Sequence, residues 1–432
     1  MRESSDDVTL TLPLETSIIR DPKEFERLEV EWDTLLDDSA QGGFFLRWHW
    51  NWLWWQHFAP SRSDLHIVRC TDGNGRLAGI APLYRRQRQI FGVPYARELA
   101  MLGTGIELKT GEYLDIFARR GAECAVSQAI GGCLDAEGAW DRLWLHGVPE
   151  GSGVVEDLLR RLPGHVSSTV CDSAPFIDTS ASWDDYRHSL GRSMRRNVDY
   201  YARRLFKRYE CEFRLVESEK ELEPAIDHLV RLHQMRWRSA DEPGVFSSAA
   251  VESFLRLAMR RSYSEGRLRL WTLSVNGAVE AALVGFLDNG ILHYFQKGFN
   301  PSYTKDDLGT AMLSLCIRAS FDDPRIDSFD FMSGGAAYKR LWARHERVTV
   351  LHEASRPNLR ARAYATVRQV REATAATFRA VTPTRLRGLR RDWLRRRRVR
   401  RSLGLRSLFV TASSLANESV VDLWLTLPCL LQ

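Results

Sequence analysis

A short apolar run, "SFDFM", holds one acidic residue, Asp330, and the residues Tyr338 and Lys339 follow a glycine pair shortly afterwards. A carboxylate, a phenol and an ammonium group so close in sequence could move protons and stabilise developing negative charge. Because an unpaired carboxylate in a buried strand costs roughly 3–5 kcal/mol, Asp330 needs a partner, and Lys339 is the nearest candidate. The alternative is an ion pair with Lys339 or Arg340 that only fixes the strand to the next helix.

A second stretch combines small residues with the predicted start of a helix. In "KDDLGTAMLSLCI" the positions that could receive a ligand are Lys305, Leu308, Gly309, Thr310 and Ala311. A helix N-terminus offers unpaired N–H groups and a partial positive charge, and small residues let a phosphate approach the backbone. The stretch would therefore suit a phosphate-bearing ligand, and simple capping of the helix is the alternative. Asp306 or Asp307 would in any case cap the helix.

The periodicity of the second half predicts the order β-α-α-β-β-β-α-β-α-β. "ECEFRLV" alternates like a strand, and "EKELEPAIDHLVRLHQMRW" and "AAVESFLRLAMRRSYSEG" have helical spacing. Three strand-like runs separated by "NG" and "DNG" then predict an antiparallel meander. The phosphate-site helix, the strand with Asp330, the short helix "AAYKRLWA" and the strand "RVTVLHE" complete the series.

The first half repeats much of this order, which suggests an old duplication. "DGNGRLAGI" matches "SVNGAVEAA", and "WDRLWLHG" matches "IDSFDFMSG", in the same sequence of elements. Hairpin segments resemble one another in any protein, but two matches in the same order favour duplication. A chain of 432 residues is long enough for two domains. We predict a mixed α/β chain with domains at 16–172 and 210–355, a basic linker helix at 173–209 and an Arg-rich helical tail at 356–432.

Six stretches, together with the order of elements, resemble the GNAT superfamily of acetyltransferases, and more narrowly the CelD/BcsL type named after a cellulose-biosynthesis protein. These stretches are "WHWNWLWWQHF", "GRLAGIAPLYRR", "SLGRSMRRNVDYYARRL", "RLHQMRW", "GFNPSYTKDDLGTAML" and "DFMSGGAAYKRLW". The last two are the most specific. The resemblance implies a tandem duplicated GNAT fold. The first half opens the matching helix with "ARRGAECAV", so we expect only the second half to bind the donor.

The resemblance also implies roles for individual residues. The strand with Asp330 would part from "ILHYFQKGF" to admit a thioester, and the turn before Gly309 would bind the pyrophosphate of acetyl-CoA or another acyl-CoA. Tyr338 is expected to protonate the departing thiolate, Asp330 to act as base or substrate anchor, and Lys339 to stabilise charge. One departure is Asp306, which stands where GNAT proteins usually have Gln or Arg.

We expect the acceptor to contact Arg236 and Trp237, the last two residues of "RLHQMRW". A Trp ring can stack on the face of a sugar, and an Arg guanidinium can form two hydrogen bonds to a phosphate. Trp237 could equally belong to the core. The predicted reaction moves an acyl group from acyl-CoA to an amine or hydroxyl, in cell-envelope or exopolysaccharide biosynthesis. The alternatives are a Fem-type transferase that uses aminoacyl-tRNA, whose usual coiled-coil insertion has no counterpart here, and a non-catalytic scaffold.

The charge is distributed unevenly along the chain. The net charge is +6, yet residues 385–401 hold ten Arg and one Asp. Contact of Arg385–Arg401 with an anionic membrane is predicted in preference to nucleic acid, and a solvated tail is the alternative. The linker arginines either form a solvated face or meet a phosphate-bearing partner such as CoA, an acyl carrier protein or a nucleotide sugar.

The seven scattered cysteines and eleven histidines form no CxxC or HExxH motif, so no metal site is predicted. The start "MRESSDDVTL" is acidic where a signal peptide needs a basic start. A cytoplasmic location, with peripheral contact at the inner face of the membrane, is the expectation.

Overall fold

The computed structural model describes residues 13–60, 63–90, 93–105, 111–334 and 338–381. The segment Arg385–Arg401, and with it the predicted membrane contact, lies outside these described residues. Among the helices described, none combines the length and the apolar character needed to cross a membrane.

The first half alternates strands with helices. Its strands are β1 (Glu15–Ile19), β2 (Ser63–Leu65), β3 (Ile67–Thr71), β4 (Leu77–Ala81), β5 (Leu83–Ile90), β6 (Val93–Met101), β7 (Phe117–Ala118), β8 (Arg142–Pro149) and β9 (His165–Asp178). Its helices are α1 (Pro22–Arg27), α2 (Glu29–Asp37), α3 (Trp48–Phe58), α4 (Glu123–Glu137) and α5 (Gly153–Arg161).

A basic segment connects it to the second half through three short helices, α6 (Trp183–Ser189), α7 (Arg192–Asn197) and α8 (Tyr200–Arg208). The second half contains the strands β10 (Cys211–Leu215), β11 (Leu268–Val275), β12 (Ala278–Asp288), β13 (Ile291–Phe299), β14 (Ser328–Asp330) and β15 (His345–Ser355). Its helices are α9 (Glu219–Ser239), α10 (Ala249–Ser264), α11 (Leu308–Asp322) and α12 (Lys339–Trp342), and α13 (Leu359–Val381) follows.

The duplication predicted from the sequence is confirmed by the topology. In the second half the hairpin β11–β12 leads through β13 and α11 to β14, which pairs with β13 in parallel. In the first half the hairpin β3–β4 leads through β5, β6 and α4 to β8, which pairs with β6 in parallel. The only parallel pairs among the described strands are therefore these two equivalent ones.

The two halves share one sheet because the last strand of each half pairs with strands of the other half. The eleven strands of this sheet are ordered β10-β11-β12-β13-β14-β9-β15-β8-β6-β5-β2. Thus β9, from the first half, pairs with β14, and β15, from the second half, pairs with β8. A smaller sheet, β1-β3-β4-β7, packs within the first half. The predicted domain boundary at residue 172 falls inside β9.

The connecting segment differs from the single linker helix predicted over 173–209. Residues up to Asp178 belong to β9, and the helices that follow are interrupted where Leu190 and Gly191 adopt extended backbone angles. Ser182 caps α6 by accepting a hydrogen bond from the N–H of Asp185. The apolar stripe nevertheless packs inward as its spacing indicates, since Tyr186, Leu190, Val198 and Leu205 are buried beside α11.

Two hydrophobic clusters lie on opposite faces of the second-half sheet. The larger one is continuous across both halves and includes the Trp-rich helix α3, in which Trp50 and Trp54 are fully buried. The smaller one lies between the sheet, α11 and the connecting helices. Between these two faces, near the centre of the shared sheet, β13 and β14 meet.

Candidate active site

Strands β13 and β14 run together for three residue pairs and then part. Ile291 pairs with Ser328, Leu292 with Phe329 and His293 with Asp330, where β14 ends. The remainder of β13 continues to Phe299 beside β12 alone, with an irregular register near Gly285 and Tyr294. The strand that carries Asp330 therefore parts from β13, as the resemblance implied, and Asp330 is the last residue of β14.

A cavity of about 370 Å³ opens beyond this point on the α11 side of the sheet. The distal part of β13 contributes Lys297 and Phe299, and the start of α11 contributes Leu308, Gly309 and Thr310. The other described lining residues come from the connecting helices, α9, the turn before α11 and α12, and they are Met194, Tyr201, Arg236, Thr304, Asp307, Leu313, Tyr338, Leu341 and Trp342. A cavity of this size is typical of a small-molecule site.

Tyr338 is the one residue of the predicted catalytic set that lines this cavity. It precedes α12, and its side chain hydrogen-bonds that of Tyr294 on β13. Tyr294 is buried, and burial together with Tyr338 raises its pKa well above the usual value. Tyr294 therefore stays protonated and can orient the Tyr338 hydroxyl. Tyr338 itself is 37% exposed, so it can meet a ligand.

Lys297 is a cavity residue that the sequence analysis did not single out. Its side chain is buried and its Nζ donates a hydrogen bond to the carbonyl oxygen of Gly309 at 2.7 Å. Burial, with a smaller repulsion from Arg236, lowers the pKa of Lys297 from 10.5 to about 7. A lysine with a pKa near neutrality inside a cavity can act in proton transfer or charge stabilisation. The one sequence signal was a charged residue within an otherwise apolar strand, "ILHYFQKGF".

Gly309 is required by packing as well as by access to a ligand. A Cβ atom on Gly309 would lie 2.7 Å from the Phe299 ring, which is closer than real Cβ contacts allow. Phe299 therefore rests directly on the first turn of α11. Leu308 and Ala311 are buried, and Lys305, which is exposed, does not line the described cavity. Of the five positions predicted to bind the donor, Leu308, Gly309 and Thr310 border it.

Asp306 is buried, and its carboxylate is directed toward α8. Its carboxylate accepts hydrogen bonds from Arg208 at 2.6 Å and from the hydroxyl of Tyr209 at 3.1 Å, and Arg204 lies 3.7 Å away. Arg204 also lies 3.6 Å from Asp307. The negative charge that stands where GNAT proteins usually have Gln or Arg is thus neutralised by α8.

Asp330 lies on the opposite face of the sheet from the cavity. Its neighbours Phe329 and Phe331 face the smaller hydrophobic cluster, and alternation along a strand turns Asp330 to the other side. Its Oδ2 accepts hydrogen bonds from Arg347 at 2.8 Å and from the Tyr113 hydroxyl at 2.9 Å. The partner that the buried carboxylate requires is therefore Arg347, from β15, and not Lys339.

The loop before β7 in the first half reaches this same place. The Tyr113 ring lies 5.8 Å from the ring of His293, which is buried on the same face. Glu112 accepts a hydrogen bond from the N–H of Ser333 at 2.8 Å. Tyr113 and Met332 have φ angles of 55° and 57°, which are uncommon for non-glycine residues and occur often at functional sites.

Lys339 holds the turn that follows β14. Its Nζ donates hydrogen bonds to the carbonyl oxygens of Phe331, Met332 and Ser333 at 2.8, 3.1 and 2.9 Å. It does not line the described cavity. The ammonium group thus fixes the loop that leads from Asp330 to Tyr338.

Arg236 and Trp237 lie at the far end of α9. Arg236 lines the cavity, and its guanidinium lies 5.2 Å from the centre of the Trp237 ring and 5.4 Å from that of Phe299. Trp237 does not border the described cavity and packs against His233 instead, with ring centres 5.8 Å apart. Of the two residues predicted to contact the acceptor, only Arg236 reaches the cavity. Among the described residues no group of three or more potential metal ligands occurs.

Residues 192–340 match the family model "Acetyltransferase (GNAT) domain". No curated protein matches the chain significantly. Among solved structures, FemX is similar to this chain with a TM-score of 0.52 and 8% sequence identity. The alignment covers 78% of this chain and 96% of the FemX chain.

Two other solved structures are similar at lower TM-scores. A conserved protein of unknown function from Bacteroides thetaiotaomicron VPI-5482 shares 12% identity over 80% of this chain and 100% of its own, with a TM-score of 0.49. The C-terminal domain of a putative lysylphosphatidylglycerol synthetase from Agrobacterium fabrum shares 10% identity, with a TM-score of 0.47. That alignment covers 80% of this chain and 96% of the synthetase domain. Taken with the parting strands and the repeated topology, the match over 192–340 identifies that segment as a GNAT acetyltransferase domain within a chain of tandem GNAT fold.

Proposed function

We propose that the chain transfers an acyl group from acyl-CoA to an amine or hydroxyl acceptor, with the donor in the cavity beside α11. The observation that carries this proposal is the position of the cavity, which lies between the first turn of α11, the part of β13 beyond its pairing with β14, and the residues at α12. A phosphate at the helix start and a thioester in the gap would be the two ends of one ligand. The corresponding connection in the first half is longer, since α4 begins twenty-two residues after β6 ends and β7 lies between them, whereas α11 begins nine residues after β13 ends.

Tyr338 is the proton donor to the departing thiolate in this proposal. Tyr338 lines the cavity, and its side chain is held by the hydrogen bond with Tyr294. Lys297 takes the electrostatic role that the sequence analysis gave to Lys339, because Lys297 lines the cavity and Lys339 does not. The protonated form of Lys297 would stabilise the negative charge that develops as the thioester is attacked.

Asp330 acts through its neighbours in this proposal. Both of its oxygens are engaged, Oδ1 by the N–H of Met332 at 2.6 Å and Oδ2 by Arg347 and Tyr113. The Tyr113 hydroxyl donates to Asp330, so its lone pairs can accept a hydrogen bond from the acceptor. The acceptor would thus approach from the α9 side, between the two halves, and the nucleophile would reach the thioester through the gap between the strands.

The finer expectations remain proposals. Acetyl-CoA is the proposed donor, a sugar of the cell envelope or its precursor is the proposed acceptor, and the CelD/BcsL type is the proposed subfamily. Arg236 would contact the acceptor or the acyl group from the cavity wall. Contact of the Arg-rich tail with an anionic membrane would bring the enzyme to such an acceptor, and co-sedimentation with liposomes, with and without residues after 380, tests it.

The test of the function is a two-part measurement. We expect acyl-CoAs to raise the melting temperature, by an amount that corresponds to about 2.7 kcal/mol at a hundredfold excess over the dissociation constant. We also expect release of free CoA thiol when a panel of amino sugars and other amines is added. Absence of both effects with every acyl-CoA would refute the proposal. Stabilisation by aminoacyl-tRNA alone would favour the Fem-type alternative.

A further inference from the structure

The outer face of the helices that border the donor cavity is both basic and apolar. Met194 of α7 and Tyr201 of α8 line the cavity, while the opposite side of the two helices faces solvent. The segment 192–208 contains seven basic residues and one acidic residue, Asp199. The exposed residues on this face, which we call the α7–α8 surface, are Arg192, Arg196, Tyr200, Arg203, Phe206 and Lys207.

The charges of the α7–α8 surface are available to a partner. Two other arginines of α8, Arg204 and Arg208, pair with the acidic turn before α11. By contrast, the basic side chains of the α7–α8 surface form no ion pair with any described residue. An unneutralised group of this kind attracts an acidic partner and accelerates its association.

Two aromatic residues lie among these charges. Tyr200 is 47% exposed and Phe206 is 43% exposed. On one helix, residues 200, 203, 206 and 207 lie within a single arc, because each residue advances by about 100°. Large apolar side chains surrounded by arginines are typical of protein interfaces. Leu341, which lines the cavity, is 58% exposed and extends the apolar area to the cavity mouth.

Part of the positive charge near the start of α11 is used within the protein. Asp306 and Asp307 stand there and engage Arg208 and Arg204 of α8. Arg236 and Lys297 line the cavity itself, whereas the basic residues of the α7–α8 surface lie outside it, on a protein-sized surface. The cavity, at about 370 Å³, is near the lower end of ligand-site volumes, which run from about 300 to 1,000 Å³. A volume of this size suits the acylated pantetheine arm of a thioester donor.

We propose that the α7–α8 surface docks an acidic acyl carrier protein, which delivers its acylated phosphopantetheine arm into the cavity beside α11. The arm has the same thioester chemistry as acyl-CoA, so the inference rests on the proposed acyl-transfer function and names the partner that presents the donor. The acidic helix of the carrier would meet the exposed arginines, and Tyr200 and Phe206 would pack against its apolar residues.

The test uses the full chain and a purified acidic acyl carrier protein bearing an acetylated phosphopantetheine arm. Binding is measured by titration calorimetry at low and high salt, with acetyl-CoA measured in parallel. In the test variant Arg196, Arg203 and Lys207 are each replaced by Glu. The matched control, with the same change in net charge, replaces Lys23, Arg27 and Arg120, which are exposed in the first half, by Glu.

We expect the carrier to bind the wild-type chain and the control with equal affinity, and to bind both more weakly at high salt. Its affinity for the test variant should be at least about tenfold lower. Acetyl-CoA should bind all three chains equally, which shows that the variant is folded and its cavity intact. Equal carrier binding by all three chains, or no carrier binding at all, would overturn the inference, as would preferential binding of tRNA that the test variant loses. The proposed function would survive each of these results if acetyl-CoA still binds.

Discussion

Replacing Lys297 by Met should make the protein more stable and less active at the same time. Burial lowers the pKa of Lys297 from 10.5 to about 7, so the native state holds this proton far more weakly than the unfolded state does. At about 1.4 kcal/mol per pKa unit, the burial costs roughly 4 kcal/mol of folding free energy at pH 7. Met has a similar shape without the charge. It removes this cost but leaves the carbonyl of Gly309 without its donor, which costs about 1–3 kcal/mol.

The net expectation is that Lys297→Met raises the free energy of unfolding by about 1–3 kcal/mol at pH 7. The sign of the pH dependence follows from the same pKa. Between pH 7 and 10.5 the unfolded chain binds the proton and the native chain does not, so the wild-type free energy of unfolding rises with pH. This contribution amounts to about 2 kcal/mol from pH 7 to pH 9. This stabilisation is fully present above the pKa of the lysine in the unfolded chain. It is lost as the pH falls through about 7, the pKa of Lys297 in the native state.

The assay is urea unfolding followed by tryptophan fluorescence at pH 7 and pH 9, for the wild type, Lys297→Met and the exposed-lysine control Lys220→Met. The stability advantage of Lys297→Met should shrink by about 2 kcal/mol between the two pH values, while the control should follow the wild type at both. An advantage that does not change with pH would refute the reasoning about the Lys297 proton. In the wild type, kcat/KM should lose the contribution of protonated Lys297 above about pH 7, and the Met variant should lack this decline.

Three further changes test other parts of the site. Tyr338→Phe should lower kcat by about a hundredfold or more while the Kd for acyl-CoA stays nearly constant, because only the proton donor is lost; unchanged kcat would exclude the acid role. Arg347→Met should lower the free energy of unfolding by roughly 3–5 kcal/mol, since it leaves the fully buried Asp330 carboxylate without its cation, and urea unfolding should show part of this loss recovered when Asp330→Asn is added. Gly309→Ala should weaken acyl-CoA binding in calorimetry and cost about 1–3 kcal/mol of stability, because its Cβ would meet the Phe299 ring; full affinity would show that the first turn of α11 can move.

Several features of this site could be predicted from local sequence. The apolar run around Asp330, the small residues at 308–311 and the turn signals of the meander each identify an element from a few neighbouring residues. Secondary structure depends strongly on such short-range periodicity and turn chemistry. The position of Tyr338 before a short helix was predictable for the same reason, and it lines the cavity.

The partner of Asp330 could not be predicted in this way. Arg347 and Tyr113 are distant in sequence from Asp330, and they reach it because β15 and the loop before β7 are brought to β14 by the sheet. Sequence proximity favoured Lys339, yet the backbone turn directs its Nζ to three carbonyl groups. Which charges meet is decided by strand order, and strand order is a long-range property.

The sequence by itself determined the order of elements and the duplication, because these depend on local patterns that recur in both halves, and the resemblance to GNAT proteins implied that the donor strands part. Only the tertiary structure showed that β9 and β15 each pair with a strand of the other half. The sequence of β9, "HVSSTVCDSAPFID", is largely polar, so its hydrophobic pattern did not indicate a strand. It also decided that Lys297 is buried and close to neutral. A pKa depends on the solvent and charges around a group, and those are fixed only when β13, α11 and the connecting helices close around it.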